Sequence, residues 1–445
     1  MEYSLNSRSV EVENRSGRRA PWRKADVTSM DSMVLYEDGE DIKDKINRVI
    51  TQEREKDEYY EDAFITIDMD DVIKQLKQWR KYLPRVEPYF AIKSNNDPKI
   101  LSLLADLGVF FDCASKNEMA SVLGLGVEPS SIVFSHSVKC LRDMRYAAAK
   151  GVDLMAFDNE HELVKVKSLH PNARLLLRLK ASDKYEVQHR LSVQYGCDEH
   201  EVRSLLAAAK TMGLNVVGIS FHVGSGILDG RVFIDAIERA DRAFTIASEL
   251  NISLSVLDIG GGFIGHKAFI VEFIEVAGLL NSALEDHFPV KRGVRIIAEP
   301  GRYFVSSCAT LVVSVIGKRL IQDGVEEESL YFVNDSVFGT FNDAFTKCTQ
   351  AKLPSLLKAT RSDETFKSSV WGHTCAGDDC LFKDCYLPDL EIGDRLFVEN
   401  VGAYPMSMAK GRSFNGMTQP IPIHVCSKKI WKSHYCKPRG KRHVD

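Results

Sequence analysis

Lys93 ends an otherwise apolar stretch, VEPYFAIK (86–93). A lysine so placed either snorkels to water or presents its amine in a low-dielectric site, where it can form an imine with a carbonyl cofactor. Farther along, LDIGGGFIG (257–265) carries Gly260, Gly261 and Gly262 in succession after an apolar run. Consecutive glycines let backbone N–H groups close around a phosphate, and they serve equally in a tight strand-to-helix turn. EPGR (299–302) supplies Glu299 and Arg302, a carboxylate and a guanidinium able to clamp a phosphate bidentately. HVGSG (222–226) adds His222, the Ser225 hydroxyl and more open backbone. A phosphate cradle, an amine and a carboxylate together point to pyridoxal 5′-phosphate.

Bringing these groups together requires a scaffold that gathers strand ends. Short apolar runs recur at 86–93, 109–115, 131–135, 153–158, 173–180, 215–223, 254–260 and 294–300, with helical stretches between them. In VFIDAIERADRAFTIASEL (232–250), Phe233, Ile237, Ala240, Phe244 and Ala247 recur at three- and four-residue steps, the apolar face of one helix. The alternation predicts an α/β fold, a (β/α)8 barrel of the TIM type; an open doubly wound sheet is the other arrangement that periodicity allows. Lys93, Asp112, His136, Asp158, Arg178, His222, the glycines 260–262, Glu299 and Arg302 all fall at C-terminal strand ends. In a barrel those ends share the face that hosts active sites. Beyond residue 305, SSCATLVVSVIGKRLI, LYFVNDSVFGTFN, DRLFVENVGAY and IPIHV read as strands without long helices between them. They predict a second, antiparallel β domain, a sandwich or barrel. The acidic run GVEEESL (324–330) reads as a solvated turn.

Composition narrows the class. The chain has 445 residues, 44% hydrophobic and 27% charged, with a formal net charge of −4. That balance gives no electrostatic footprint for nucleic acid. No segment approaches the roughly 20 consecutive apolar residues of a membrane span, and no secretory signal opens the chain. Ten cysteines are too sparse for a disulfide scaffold, so a reducing, cytoplasmic home is expected. Cys375, Cys380 and Cys385 form a C-x4-C-x4-C string that lacks paired histidines and is not a standard zinc pattern; no metal is expected.

PYFAIKSN, FDCASKNEM, FHVGSG, LDIGGGF, AEPGRYFV, YFVNDSVFGTFN, WGHTC, VENVGAY and SFNG occur in the order and approximate spacing of eukaryotic ornithine decarboxylase. Over about residues 30–430 the chain resembles that family, the fold-type III pyridoxal-phosphate decarboxylases, as a divergent paralogue. The resemblance implies a β/α barrel over 69–305 and a β domain built from both chain ends, 31–68 with 306–430. A flexible tail over 1–30 and a basic tail over 431–445 would flank them. It also implies a head-to-tail homodimer with two shared sites. Lys93 would form the Schiff base with the cofactor, Glu299 would pair with the pyridine nitrogen, and His222 would stack on the ring. Ser225, Gly261, Gly262, Arg302 and Tyr404 would hold the phosphate, with Asp112 and Arg178 shaping the site. Cys375 of the partner subunit would return a proton to Cα after decarboxylation. Gly402 matches a dimer-contact glycine, and Phe414 and Asn415 match residues near the substrate. Segment 138–165 corresponds to the family's region for the regulatory protein antizyme, which leaves antizyme binding open. The basic end CKPRGKRHVD is shorter than the degradation tail of the vertebrate enzymes, which puts antizyme-driven turnover in doubt.

The departures concern the substrate. In that family two aspartates bind ornithine's distal ammonium. One directly follows the catalytic cysteine; here that position is Ala376, in WGHTCAGDD. The other lies six residues beyond the phenylalanine of G-[ST]-F, which from Phe341 is Lys347. Phe338 stands where the family has a tyrosine. Two like charges near 4 Å repel by about 4 kcal/mol at an effective dielectric of about 20, a loss on the order of a thousandfold for ornithine or lysine. A neutral aliphatic amino acid such as leucine is therefore the expected substrate, with an acidic or polar one next. Ornithine decarboxylation to putrescine survives as an alternative if Asp378 or Asp379 shifts into the pocket and Lys347 folds back onto Asp343. A non-catalytic regulator like the antizyme inhibitors is another. Those lose cofactor contacts first, whereas the contacts named above all remain here.

Overall fold

The computed structural model describes residues 33–435, apart from 59, 186, 228, 324–325, 343–352, 359–363 and 410–413. The expected N-terminal tail over 1–30, Lys347, and residues 436–445 of the expected basic tail lie outside the described residues.

All eight apolar runs form strands, and the strands close into one parallel barrel rather than an open sheet. In chain order they are Val86–Ala91, Phe110–Cys113, Ile132–Phe134, Leu154–Phe157, Arg174–Leu179, Asn215–Phe221, Val256–Asp258 and Arg295–Ala298. Closure is made where Arg295–Ala298 pairs with Val86–Ala91, Ile296 opposite Val86. Inside, Tyr89, Val133, Leu154, Leu176, Val256 and Ile297 form a buried cluster that fills the barrel. The barrel is thus a packed core, and chemistry is confined to its C-terminal rim. The helix Arg231–Glu249 packs as its periodicity requires, with Phe233, Ile237, Ala240, Phe244 and Ala247 all buried.

The second domain is a sheet ordered Val34–Tyr36, Ile421–Ser427, Phe64–Asp68, Ala309–Asp323, Glu326–Val333, Phe366–Trp371 and Cys380–Leu387, with Arg395–Glu399 branching from Ala309–Asp323. It is mixed rather than purely antiparallel. Ile421–Ser427 runs parallel to both N-terminal strands, and Glu326–Val333 parallel to Phe366–Trp371. Parallel neighbours need a long crossover, and the whole barrel supplies it between Phe64–Asp68 and Ile421–Ser427.

One local expectation is corrected. Most of the acidic run 324–330 belongs to a strand, because Ala309–Asp323 extends far enough to pair Asp323 with Glu326 and Arg319 with Leu330. The start of the basic tail is folded: the Trp431 and Tyr435 rings stack at 5.3 Å and pack against the core, since burying two large rings offsets their ordering.

Candidate active site

The rim assembles its charged groups from adjacent strand ends. Lys93 sits two residues past the end of Val86–Ala91, in the turn Ile92–Ser94. Its Nζ lies 3.0 Å from Asp112 Oδ2, at the end of the neighbouring strand Phe110–Cys113. Asp112 is held in turn by the Ser135 hydroxyl, which donates to Oδ1 at 2.5 Å. The lysine side chain is 40% exposed against 1% for Asp112, so the amine opens onto the cavity while its counter-ion is sealed below it. Burial alone would lower the Lys93 pKa; Asp112 and then Glu299 outweigh it and raise it.

Two more carboxylates stand at neighbouring strand ends, and Glu299 acts on the amine. Glu299 and Asp258 are both buried. Burial pushes the Glu299 carboxyl well up, reinforced by Asp112 and Asp258. Asp258 is likewise raised, first by burial, although the Gly260 N–H donating to its Oδ1 at 2.9 Å opposes the shift. Its Oδ2 is buried without a partner. Three carboxylates around one amine and Arg178 leave a pocket suited to an additional cationic or N–H group.

His222 is a neutral ring. Burial, then Arg178 and Lys93, hold its pKa well below the ordinary value. Its Nδ1 accepts from the Gly224 N–H at 3.1 Å, which assigns the ring proton to Nε2. Beside it, the glycine turn has no room for side chains. A Cβ on Gly261 would stand 3.1 Å from His222 Nε2 and 2.6 Å from the Glu299 carbonyl. Gly262, at φ +102°, would meet the Gly224 carbonyl at 2.2 Å. Glycine is thus required by the turn itself, and the same turn leaves the backbone open toward the rim.

Next to these groups, Arg302 Nη2 donates to Ser225 Oγ at 3.2 Å, and the guanidinium lies 4.9 Å from the centre of the Tyr404 ring. Arg302 Nε is buried with no hydrogen-bond acceptor. A buried guanidinium donor left open beside a hydroxyl, a tyrosine and a glycine turn is what a phosphate would satisfy. Glu299 and the neutral His222 suit a protonated aromatic ring nitrogen and a ring face. The residues present therefore fit pyridoxal phosphate.

Two sequence candidates do other work. Asp158 fastens a loop, accepting from Gly196 N–H at 2.9 Å and Asn159 Nδ2 at 2.7 Å. His136 Nδ1 accepts from Val138 N–H at 3.0 Å. Arg178 remains on the rim, its guanidinium 5.1 Å from the Tyr195 ring centre. Ser135, Asp258 and Tyr195 were missed. Asp258 sits inside the quoted LDIGGGF motif; Ser135 and Tyr195 carried no signal, because their roles depend on contacts between distant segments.

The remaining candidates lie on β-domain loops. The Phe338 and Phe414 rings stack at 4.4 Å, and Phe414 is 44% exposed. Cys375 is exposed, and its N–H donates to Asn415 Oδ1 at 3.2 Å. Next to it, the Ala376 N–H donates to Thr374 Oγ1 at 3.4 Å. Asp379 is buried and occupied: Oδ1 accepts from Val337 N–H at 2.9 Å, and Oδ2 from the Thr374 N–H at 3.0 Å and hydroxyl at 2.5 Å. Asp378 is exposed. Cys385, the last of the cysteine string, is buried with its thiol donating to the Ser368 carbonyl at 3.2 Å.

A parallel β/α barrel with a lysine, buried carboxylates and a buried arginine on its rim, joined to a β domain, is the architecture of barrel-type pyridoxal-phosphate proteins. The chain belongs to the family of pyridoxal-dependent decarboxylases: residues 69–306 match the family's pyridoxal binding domain, and the cofactor is pyridoxal 5′-phosphate. Ornithine decarboxylase of Rattus norvegicus is 40% identical over 409 residues, covering 89% of this chain and 87% of that one. Antizyme inhibitor 2 of Xenopus laevis is 39% identical over 420 residues, 92% and 91% of the two chains. The structure of the Paramecium bursaria Chlorella virus arginine decarboxylase bound to agmatine aligns with a TM-score of 0.79 and 34% identity, over 85% of this chain and 100% of that one. Among the described residues no helix is long and apolar enough to cross a membrane.

Proposed function

We propose that this protein is a pyridoxal-phosphate-dependent L-amino-acid α-decarboxylase that takes a neutral aliphatic substrate such as leucine and releases the amine and CO2. When bound, the cofactor supplies an electron sink for the bond to the departing carboxylate. The chain's residues prepare for that chemistry. Lys93 Nζ is held at the rim by its 3.0 Å ion pair with Asp112, which fixes where the amine would meet the cofactor. Glu299 would hold the ring nitrogen protonated, and neutral His222 would cover the ring without adding a competing charge. Arg302, Ser225, Tyr404 and the turn at Gly261 and Gly262 would secure the phosphate. The exposed Cys375 thiol fits delivery of a proton to a second protomer's site, so a homodimer with shared sites belongs to the proposal.

One contrast carries the substrate reading. The cofactor end keeps its full donor set, while the side-chain end offers stacked Phe338 and Phe414 and the methyl of Ala376. Asp379, a neighbouring carboxylate that could have replaced the missing one, already accepts three hydrogen bonds inside the domain. Leaving an ornithine ammonium without a carboxylate forgoes about 1.5–3 kcal/mol, the worth of a hydrogen bond to a charged group.

The 39% identity to an antizyme inhibitor supports a second reading, a non-catalytic regulator. A decarboxylation panel over the common amino acids, with pyridoxal phosphate added, separates the three possibilities. Faster CO2 release from leucine or another neutral amino acid supports the proposal. Ornithine as best substrate overturns its specificity, and no turnover together with no borohydride-sensitive visible absorbance supports the regulator.

A further inference from the structure

The segment 401–407 enters from the β domain and lodges between the two ends of the cofactor site. On one side the Gly402 N–H donates to the Ser306 carbonyl at 3.2 Å and the Val401 N–H to Ala309 at 3.1 Å, just beyond the short helix that begins at Arg302. On the other side the Tyr404 N–H donates to the Ser94 carbonyl at 2.7 Å, and Ser407 Oγ donates to the carbonyl of Lys93 itself at 3.0 Å. The fit leaves no slack: a Cβ on Gly402 would stand 1.8 Å from the Val305 carbonyl. Tyr404 is held at φ +69°, a conformation that costs a non-glycine residue of order 1 kcal/mol and persists only when its surroundings fix it. The segment therefore braces both the lysine turn and the helix that carries the phosphate clamp, whose strands already pair in the barrel.

Asn95 is the pin of this wedge. It is 1% exposed, and its Nδ2 donates to the Gly402 carbonyl at 2.8 Å. Its Oδ1 accepts from the Asp97 N–H at 2.9 Å. Asp97 then caps the helix Pro98–Asp106 through the N–H groups of Lys99 and Ile100, and meets His424 Nε2 of the β domain at 2.9 Å. One amide side chain thus ties the backbone two residues beyond the reactive lysine to the inserted segment, with both amide atoms engaged.

We propose that Asn95 is a positioning residue for the cofactor site: through Gly402 it locks the segment 401–407 so that Lys93 and Arg302 are held at the separation pyridoxal phosphate requires. This rests on the assignment of Lys93 and Arg302 to the cofactor and is independent of the amino-acid substrate. Asn95→Asp preserves size and the Oδ1 acceptor but replaces the donor facing Gly402 with an oxygen.

The test titrates pyridoxal phosphate into apo wild type, Asn95→Asp, Asn95→Ala and the remote surface control Lys210→Ala, without amino acid. It reads the apparent Kd, the position of the visible absorbance band and its pH midpoint, and thermal midpoints with and without cofactor. Expected is a Kd at least about tenfold weaker in both Asn95 variants (about 1.4 kcal/mol), with a shifted band or pH midpoint and an apo thermal midpoint near wild type. Unchanged affinity and spectrum in Asn95→Asp overturn the proposal. So does a weaker Kd with an unshifted band and an apo midpoint lowered in proportion, which marks a merely structural residue. A wild-type protein that forms no borohydride-sensitive band would instead overturn the Lys93 assignment beneath it.

Discussion

The two ends of the proposed site are built on opposite principles. At the cofactor end, charged groups stand on strand termini of a closed barrel, each braced by a neighbour: Ser135 on Asp112, Gly260 on Asp258, Asp112 on Lys93. At the side-chain end, aromatic rings and an alanine sit on loops of the β domain, and Asp379 is turned inward to knit the loops of Val337 and Thr374 together. A rigid rim suits chemistry that every substrate shares, because pre-organised charge needs no rearrangement at the moment of reaction. Loops can exchange one side chain for another without disturbing the barrel, which makes them the place where specificity changes. Carboxylates follow the same division: they face the cavity in one region and serve as internal ties in the other.

The comparison can be broken most sharply at Lys93. Lys93→Ala is expected to remove CO2 release to the detection limit and to abolish the borohydride-sensitive absorbance; retained turnover would dissolve the cofactor end as drawn. Next in size, Cys375→Ala should slow product formation by about 10²–10⁴-fold, the range for losing a positioned proton donor. Mixing it with Lys93→Ala should restore about a quarter of wild-type activity, since half of the dimers then hold one intact site. Absence of complementation in a confirmed mixed dimer would place Cys375 in its own chain's site or outside any.

Ala376→Asp probes the loops alone. It should raise kcat/KM for ornithine relative to leucine by roughly ten- to a hundredfold, the worth of about 1.5–3 kcal/mol for a hydrogen bond to a charged group. No change in that ratio would mean position 376 does not face the substrate.

The smallest effect separates the two regions by pH. Burial raises the Asp335 carboxyl, in the β domain, from 3.8 to about 7. A carboxyl raised on folding stabilises the folded state below its unfolded value, and that contribution is lost as pH rises through about 7. The apo protein should therefore lose a few degrees of thermal midpoint between pH 5 and 8. Asp335→Asn should remove part of this slope, and saturating pyridoxal phosphate should remove a different part, the one due to the Asp258 and Glu299 pair. A flat profile, or a cofactor effect that vanishes in Asp335→Asn, would join what is here kept apart.

Legibility followed the range of the interactions. The eight barrel strands and the helix Arg231–Glu249 were readable because alternation and periodicity are local. Lys93 and Glu299 could be singled out because each lies at the end of such a run, and Arg302 because it follows one closely. His136 and Asp158 looked equivalent by that rule, yet each turns to a nearby backbone N–H, a choice made by loop geometry. The acidic run 324–330 read as a turn because its pairing partner is set by the reach of another strand.

By itself, the sequence determined the barrel, the charged and glycine residues at its rim, and the absence of an aspartate at position 376, since residue identity and local period carry that information. Tertiary structure alone decided that Asp379 is occupied, that Asp258 stands beside Glu299, and that Asn95 pins Gly402, 307 positions away in the sequence. Those facts depend on which distant backbone groups meet, and a buried polar atom takes its role from whatever partner the fold places within hydrogen-bonding reach.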